Sequence, residues 1–263
     1  MNKFLQFQDV TYFYQTKESE IHALSNVNFD INELDFASIV GPSGCGKTTI
    51  LSLTAGLLSP SSGQILLGGK AVTKHDPRIG YMFQRDHLFE WRSIWQNIML
   101  GLEVQKKNKD PKKIELAQDL LKKYDLYPFK NQKPRQLSGG MRQRAALIRT
   151  LVLEPSLLLL DEPFSALDFQ TRLKVCDDVY EIIKHEKKTA LLVTHDISEA
   201  ISLSDRIVIL TARPAHVKEV LDLNLKGSSP LEKREDSDFG KHFELIWRNL
   251  TNENEQTKSF KSP

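Results

Sequence analysis

The chain is short of cysteine, of charge imbalance and of long apolar runs, and each shortage removes a class of protein. There are two cysteines, Cys45 and Cys176, in 263 residues. Neither sits in a metal-like spacing, so no disulfide framework or zinc site is expected and a reducing, cytoplasmic setting is the default. The formal net charge is +2, which gives no electrostatic reason to expect nucleic acid as a partner. No stretch approaches the roughly 18 uncharged apolar residues that span a bilayer. The nearest, 145–160, is interrupted by Arg149, Glu154 and Pro155. The first nine residues lack an apolar h-region and do not read as a signal peptide. Work at a membrane would be done from its surface, through partners. What is present, 40% apolar and 27% charged residues, fits a soluble globular protein with room for a large domain or a core with an inserted lobe.

Residues 3–10 and 21–31 alternate apolar and polar (Phe4, Phe7, Val10; Ile21, Ala23, Leu24, Val27, Phe29, Ile31). That pattern predicts strands, with a turn at 15–19. The run 36–40 predicts another strand. Residues 48–58 predict a helix with Ile50, Leu51, Leu53 and Thr54 inward, stopped by Ser-Pro-Ser-Ser-Gly at 59–63. Strands follow at 64–67 and 78–83. Composition changes after Gln84. Residues 86–100 carry Trp91, Ile94, Trp95, Ile98 and Leu100 at helical spacing, and 103–136 are lysine-rich with an amphipathic helix at about 111–124. This predicts a helical lobe, about 86–154, inserted into an α/β core of 3–85 and 155–225. The later elements are helix 140–153, strand 157–160, helix 168–186, strand 189–193, helix 197–203 and strand 206–210. Continuous apolar strands alternating with helices predict a parallel sheet covered on both faces. In the extension 226–263, a terminal helix is expected around 239–250. The polar stretch 224–240 reads as loose and the last dozen residues as disordered.

Four short sequences carry the chemistry. Gly41-Pro42-Ser43-Gly44-Cys45-Gly46-Lys47-Thr48, with an apolar run before it and a helical pattern after it, suits a phosphate-binding loop. Its glycines let successive N–H groups turn toward phosphate oxygens, and the helix beginning near Lys47 adds its positive end. These residues and Thr49 are the candidate nucleotide contacts. Lys47 supplies a charge near the β and γ phosphates, and the Thr48 hydroxyl is a candidate Mg²⁺ ligand. Next, Leu157 to Leu160 run into Asp161-Glu162. Two carboxylates at the exit of a buried strand are costly unless used. Asp161 is expected to hold Mg²⁺ through water, and Glu162 to act as general base on the attacking water. The plainer alternative is that one of them caps the next helix. His195 follows the strand 189–193, at the strand ends where open parallel sheets bind ligands, and is a candidate γ-phosphate contact. Gln84 ends the strand 78–83 and is a candidate Mg²⁺ ligand and relay to the lobe. Finally, Ser138-Gly139-Gly140 opens a second helix with exposed amides, again an anion site. Lys47 and its helix already occupy the first set of phosphates, so this end is read as meeting the γ-phosphate of another subunit.

The string LSGGMRQRAALIRTL, with GPSGCGKTT before it and LLLLDEPFSALD after it, resembles the ATP-binding subunit of an ABC transporter over about residues 3–215. The resemblance implies an α/β fold: a P-loop NTPase (RecA-like) with a mostly parallel core, an N-terminal antiparallel β subdomain and an inserted α-helical subdomain. It implies that Ser138 to Gln143, with Ser138, Gly139, Gly140 and Gln143 as contacts, face ATP on the opposite subunit. It also implies that Ser165 to Asp168 join the two sites, with Asp168 a nucleotide contact. Tyr14 falls where the family places an aromatic on adenine, preferred over Tyr12 by its distance from Val10-Thr11. ATP and Mg²⁺ are the implied cofactors. The implied partners are a second copy in head-to-tail pairing, membrane permease subunits on the cytoplasmic face and, indirectly, a solute-binding protein. The strings GYMFQ and DEPFSALD and the Ala-Arg-Pro at 212–214 are similar to importers of the nitrate, sulfonate and taurine group, which also handles thiamine-precursor pyrimidines. Two departures stand out. Leu34-Asp35 replaces a Gly-acidic turn, so that hairpin is expected to be shaped differently. Glu90-Trp91 replaces Pro-Trp where a permease helix docks. The apolar patch Leu88, Phe89, Trp91 and Trp95 reads either as lobe core or as a groove for a partner helix, different rings doing either. The lysine run 106–113 reads as a solvated face or a contact for anionic lipid. Rival functions are an ABC exporter or lipid-moving ATPase, a soluble ABC ATPase on nucleic acid or ribosomes, and a generic P-loop kinase, for which the 137–143 motif has no use.

Overall fold

The computed structural model describes residues 3–15 and 19–259, with side chains to residue 251. In chain order the strands are β1 (Lys3–Gln15), β2 (Glu20–Asn32), β3 (Phe36–Val40), β4 (Ser62–Leu67), β5 (Lys70–Ala71), β6 (Ile79–Met82), β7 (Leu157–Asp161), β8 (Thr189–Val193), β9 (Arg206–Leu210) and β10 (Val217–Asp222). The helices are α1 (Lys47–Thr54), α2 (Ile94–Ile98), α3 (Leu100–Val104), α4 (Pro111–Lys123), α5 (Gly139–Leu151), α6 (Phe169–His185), α7 (Ile197–Leu203), α8 (Pro230–Lys233) and α9 (Phe239–Ser259). Residues 77–186 form one compact unit, and the segments before and after them form the other.

The unit made of the two flanking segments contains an antiparallel sheet in the order β2-β1-β4-β5. β1 pairs with β2 from Lys3↔Asn32 to Gln15↔Glu20. Asp9 and Asn26 have left-handed backbones, and the register slips beside them. Asn28 holds this bulge, accepting from the Asp9 N–H at 2.9 Å and donating to its carboxylate at 2.8 Å. The bulge shifts the phase of the strand. The buried set is Leu5, Phe7 and Val10, the bulge after Phe7 bringing Val10 inward three residues on, while Phe4 is half-buried. At the β2–β3 turn Leu34 takes a left-handed backbone (φ 67°), and Asp35 accepts from both the backbone and the side chain of Asn32 at 3.0 Å. Leucine thus occupies the conformation glycine adopts freely, and the acidic residue closes the turn.

In the same unit β3 lies parallel to β8 on one side and to β9 on the other, with β10 antiparallel to β9. Every residue of β3 and β8 is buried, as strands covered on both faces require. α7 and α9 supply part of that cover: Ile197, Ile201 and Ile246 pack with Val40, Ile207 and Ile209. Four departures from expectation appear here. α1 stops at Thr54 rather than 58, because Gly56 turns left-handed (φ 66°) two residues later. β10 was not anticipated; charged Lys218 and Glu219 interrupt its pattern, and both are bonded to Asn249 of α9. The stretch 224–240 is not loose throughout, since α8 buries Pro230 and Lys233. The backbone of α9 continues to Ser259, where disorder is expected. Residues 16–18 of the expected turn and the last four residues lie outside the described part.

In the unit 77–186, β6 and β7 are parallel from Ile79↔Leu157 to Met82↔Leu160. Leu157 to Leu160 are fully buried, each contributing about 2–3 kcal/mol by leaving water. Gly80 is required by packing, since a Cβ there would lie 2.5 Å from Thr150 of α5. The helical reading of 86–100 holds only from Ile94 onward. Ser93 caps α2, accepting from the Gln96 N–H while Gln96 accepts from Ser93 in return. Buried Asn97 ties the preceding loop through the carbonyls of Phe89, Arg92 and Ser93. These bonds give 89–93 an alternative to helix.

Candidate functional site

The phosphate loop joins β3 to α1. Gly46 is the N-cap of α1 at φ 124°, with no side-chain cap. The first N–H to bond back is that of Ile50, to the Gly46 carbonyl at 3.0 Å. The amides of Lys47, Thr48 and Thr49 have no acceptor within the helix, and its positive end lies with them. Lys47, 8% exposed, donates to the Gly41 carbonyl at 2.8 Å and to the Pro42 carbonyl at 3.0 Å. An ammonium has three donors, so two loop bonds leave one for a phosphate oxygen. The Tyr14 hydroxyl lies 2.9 Å from the Thr49 hydroxyl, and its ring meets Tyr12 edge-on at 4.9 Å. Of the two candidate aromatics, Tyr14 is the one bonded to the first turn of α1. The β3–β8 register, Ile39↔Val193, brings Gly41 and His195, each two residues further on, to the same sheet edge. Exposed His195 stands in a fixed turn: Thr194 donates to Glu199 at 2.7 Å, and Asp196 caps α7.

One contact at this loop has no counterpart in the sequence reading. Arg213 Nη2 donates to the Gly44 carbonyl at 2.7 Å, from 169 residues away in the chain. The short hairpin carrying it closes through Thr211 and His216 and is pinned to β2 by the Ala215 N–H on the Ala23 carbonyl at 2.9 Å. The Ala-Arg-Pro string marked the segment, but no local pattern reveals where it docks.

In the unit 77–186 the β6–β7 register places Gln84 and Glu162 at one strand end, each two residues beyond the pair Met82↔Leu160. Gln84 donates to the Ser165 hydroxyl at 3.3 Å, and Ser165 donates to the Glu162 carbonyl at 3.0 Å. Glu162 has a left-handed backbone, φ 43°. The Tyr81 hydroxyl donates to Asp161 at 3.0 Å. Burial and the neighbouring carboxylate both push the Tyr81 phenol up, so it stays protonated.

The same unit holds a groove of about 530 Å³ between the start of α5 and the turn before α6. Ser138, Gly139 and Gly140 line it with Ala166, Leu167 and Asp168; of its cations Arg142 is paired with Asp86 and Arg144 with Asp178, and Lys174 lies beside them. Ser138 caps α5 by accepting from the Met141 N–H. Asp168 caps α6, and hydrogen bonds from Thr171 hold its carboxyl below the usual range. Gln143 departs from the expectation of a nucleotide contact: it is 3% exposed and donates to the Pro163 carbonyl at 2.7 Å. Its position one turn inside α5 faces it to the turn after Glu162. The aromatic patch divides as well. Leu88 is buried and Trp95 half-buried, whereas Trp91, 72% exposed, stacks on Phe89 at 4.7 Å.

Comparison with known proteins gives a consistent picture. Residues 24–165 match the family model described as ABC transporter. An uncharacterized ABC transporter ATP-binding protein of Bacillus subtilis, YtlC, is 43% identical over 258 residues, 97% of this chain and 99% of its own length. The aliphatic sulfonates import ATP-binding protein SsuB of Bacillus thuringiensis is 38% identical over 84% of this chain and 86% of its own. Among solved structures, the dimeric post-hydrolysis state of the ATP-binding cassette MJ0796, bound to ADP and Pi, covers 84% of this chain and 99% of that one, with TM-score 0.67 and 32% identity.

Proposed function

This chain belongs to the family of ABC transporter ATP-binding subunits and is an ATPase, and on that premise we propose that it powers import of a small organic solute through membrane permease subunits. The solute class is the nitrate, sulfonate, taurine or thiamine-precursor pyrimidine kind. The sulfonate-import name of a relative at 38% identity supports it, beside the strings already quoted. The ATPase domain spans 3–225. Its helical part, about 86–154, receives the permease at the cytoplasmic face, with the exposed Phe89–Trp91 stack as the docking element. A solute-binding protein acts on the permeases from the other side.

In this reading Lys47 and the amides at 46–49 hold the β and γ phosphates, and Tyr14 stacks on the adenine. Thr48, Gln84 and Asp161 offer a hydroxyl, a carboxamide and a carboxylate, all hard oxygen donors. Among the described residues no three His, Cys, Asp or Glu cluster as a metal cage. A donor set with one carboxylate suits Mg²⁺, which completes its shell with phosphates and water. Bound Mg²⁺ would neutralise charge on the phosphates. Glu162 takes the proton of the attacking water, and His195 orients that water at the γ-phosphate. Catalysis is mostly positional and electrostatic. Ser138, Gly139, Gly140 and Asp168 present the groove to the ATP of a second copy, and Gln143 acts indirectly by fixing the Pro163 turn.

The observation that carries this reading is the paired placement of Gln84 and Glu162 by strand register, with Ser165 bonded to both. Its test is Glu162→Gln in the purified chain. The variant should keep ATP binding, slow turnover at least about 100-fold and accumulate as an ATP-bound dimer on size-exclusion chromatography with light scattering. Undiminished turnover would remove Glu162 as base. A strictly monomeric variant at saturating ATP would remove the paired site. Reconstitution with the permeases and a panel of solutes then tests the substrate class.

A further inference from the structure

The carboxylate of Asp161 is held by a neighbour that the reaction scheme above does not use. Tyr81 and Asp161 stand on adjacent parallel strands, with Tyr81 opposite Leu159 in the register. The Tyr81 hydroxyl reaches past that pair to donate to Oδ2 of Asp161 at 3.0 Å. The ring is itself braced: Phe83 lies 4.5 Å from it, and His87 meets Phe83 edge-on at 5.5 Å. The loop carrying His87 is held from α5, where Arg149 donates to the carbonyls of His87 and Asp86 at 2.7 and 2.8 Å. We propose that Tyr81 is a positioning residue for the metal-binding carboxylate, its hydroxyl fixing Asp161 in one orientation for Mg²⁺. The inference rests on the reading of Asp161 as the carboxylate that holds Mg²⁺ through water.

The choice of donor matters. A lysine or arginine in this place would neutralise Asp161 and compete with the cation. A neutral phenol orients the carboxylate and leaves its full charge for the metal. An ordinary phenol, with a pKa of about 10, keeps its proton at neutral pH, so the hydroxyl that reaches Asp161 at 3.0 Å is a donor. Outer groups that orient a ligating side chain are worth about 10- to 100-fold in metal affinity.

Tyr81→Phe removes the hydroxyl and keeps the ring between Phe83 and Asp161. The purified chain is titrated with a fluorescent ATP analogue, first in EDTA and then at rising free Mg²⁺, with Asp161→Asn measured alongside. The expected result is unchanged nucleotide affinity in EDTA and the same melting temperature as the wild type. The free Mg²⁺ needed for half of the metal-dependent gain in affinity should rise about 10-fold, and further in Asp161→Asn. If Asp161→Asn raises the Mg²⁺ requirement and Tyr81→Phe does not, the positioning role of Tyr81 is overturned. If Asp161→Asn leaves the requirement unchanged, the metal-ligand reading itself falls, and the inference with it. Equal loss of affinity with and without Mg²⁺ in Tyr81→Phe would also overturn the proposal, by showing that the hydroxyl merely supports the fold.

Discussion

Glu162 joins a carboxylate to a left-handed backbone, which costs a residue with a Cβ about 1–2 kcal/mol. Such conformations persist where the surroundings impose them and gather at functional sites. Here the Glu162 carbonyl accepts from both the backbone and the hydroxyl of Ser165. Leu34 has the same conformation in a half-exposed turn, where no proposed reaction step needs it. Leu34→Gly should therefore raise stability by about 0.5–1 kcal/mol, the relief of strain outweighing the extra freedom glycine gives the unfolded chain. Urea unfolding with an unchanged slope measures this, and a fall in stability would show that the leucine side chain matters more than its backbone. At this scale the sequence identifies chemical groups well. Lys47, Asp161, Glu162 and Gln84 stand where strand-then-polar patterns put them. It does not reveal Arg213 on Gly44 or Tyr81 on Asp161, because each bond joins residues on separate elements.

At the level of elements, α5 is read correctly because three signals agree: a serine cap, two glycines and an apolar stripe of Ala145, Ile148 and Val152. Its first turn lines the groove shared with Asp168. Ser138→Arg would fill that groove and place a cation at the positive end of the helix. ATP-dependent pairing should be lost while the nucleotide affinity of the single chain stays within about twofold, because the phosphate loop is untouched. A variant that still pairs at saturating ATP, seen by light scattering, would count against this groove as the surface for a second copy. β10 and the start of α2 show where local pattern fails. β10 carries a charged residue, Glu219, at a half-buried position, where it accepts from Asn249 of α9. The helix at 94 begins late because Asn97 bonds the loop before it. In both cases a polar partner overrides the period of the apolar residues, one on another element and one a few residues along the chain.

For the whole molecule, the C-terminal extension belongs to the folded core of its unit. Ile246 is fully buried against β3, β9 and α7, although little in 226–263 beyond a short apolar stripe predicts a docked helix. Ile246→Ala should lower stability by about 2–5 kcal/mol, the usual cost of emptying a buried aliphatic site. The change should appear in the main thermal transition rather than as separate early fraying, and calorimetry distinguishes the two. The order of motifs, the continuous apolar strands and the helices that follow them were set by the sequence alone. Covalent order and side-chain period are local properties of the chain, and they suffice to specify a phosphate loop, a carboxylate-bearing strand and an α/β class. Tertiary structure alone decided which carboxylate oxygen meets a phenol, which loop carbonyl meets a guanidinium, that Gln143 turns inward and that Trp91 stays in solvent. Those outcomes depend on strand register and helix packing between segments far apart in the chain, where short-range pattern carries no information about distance.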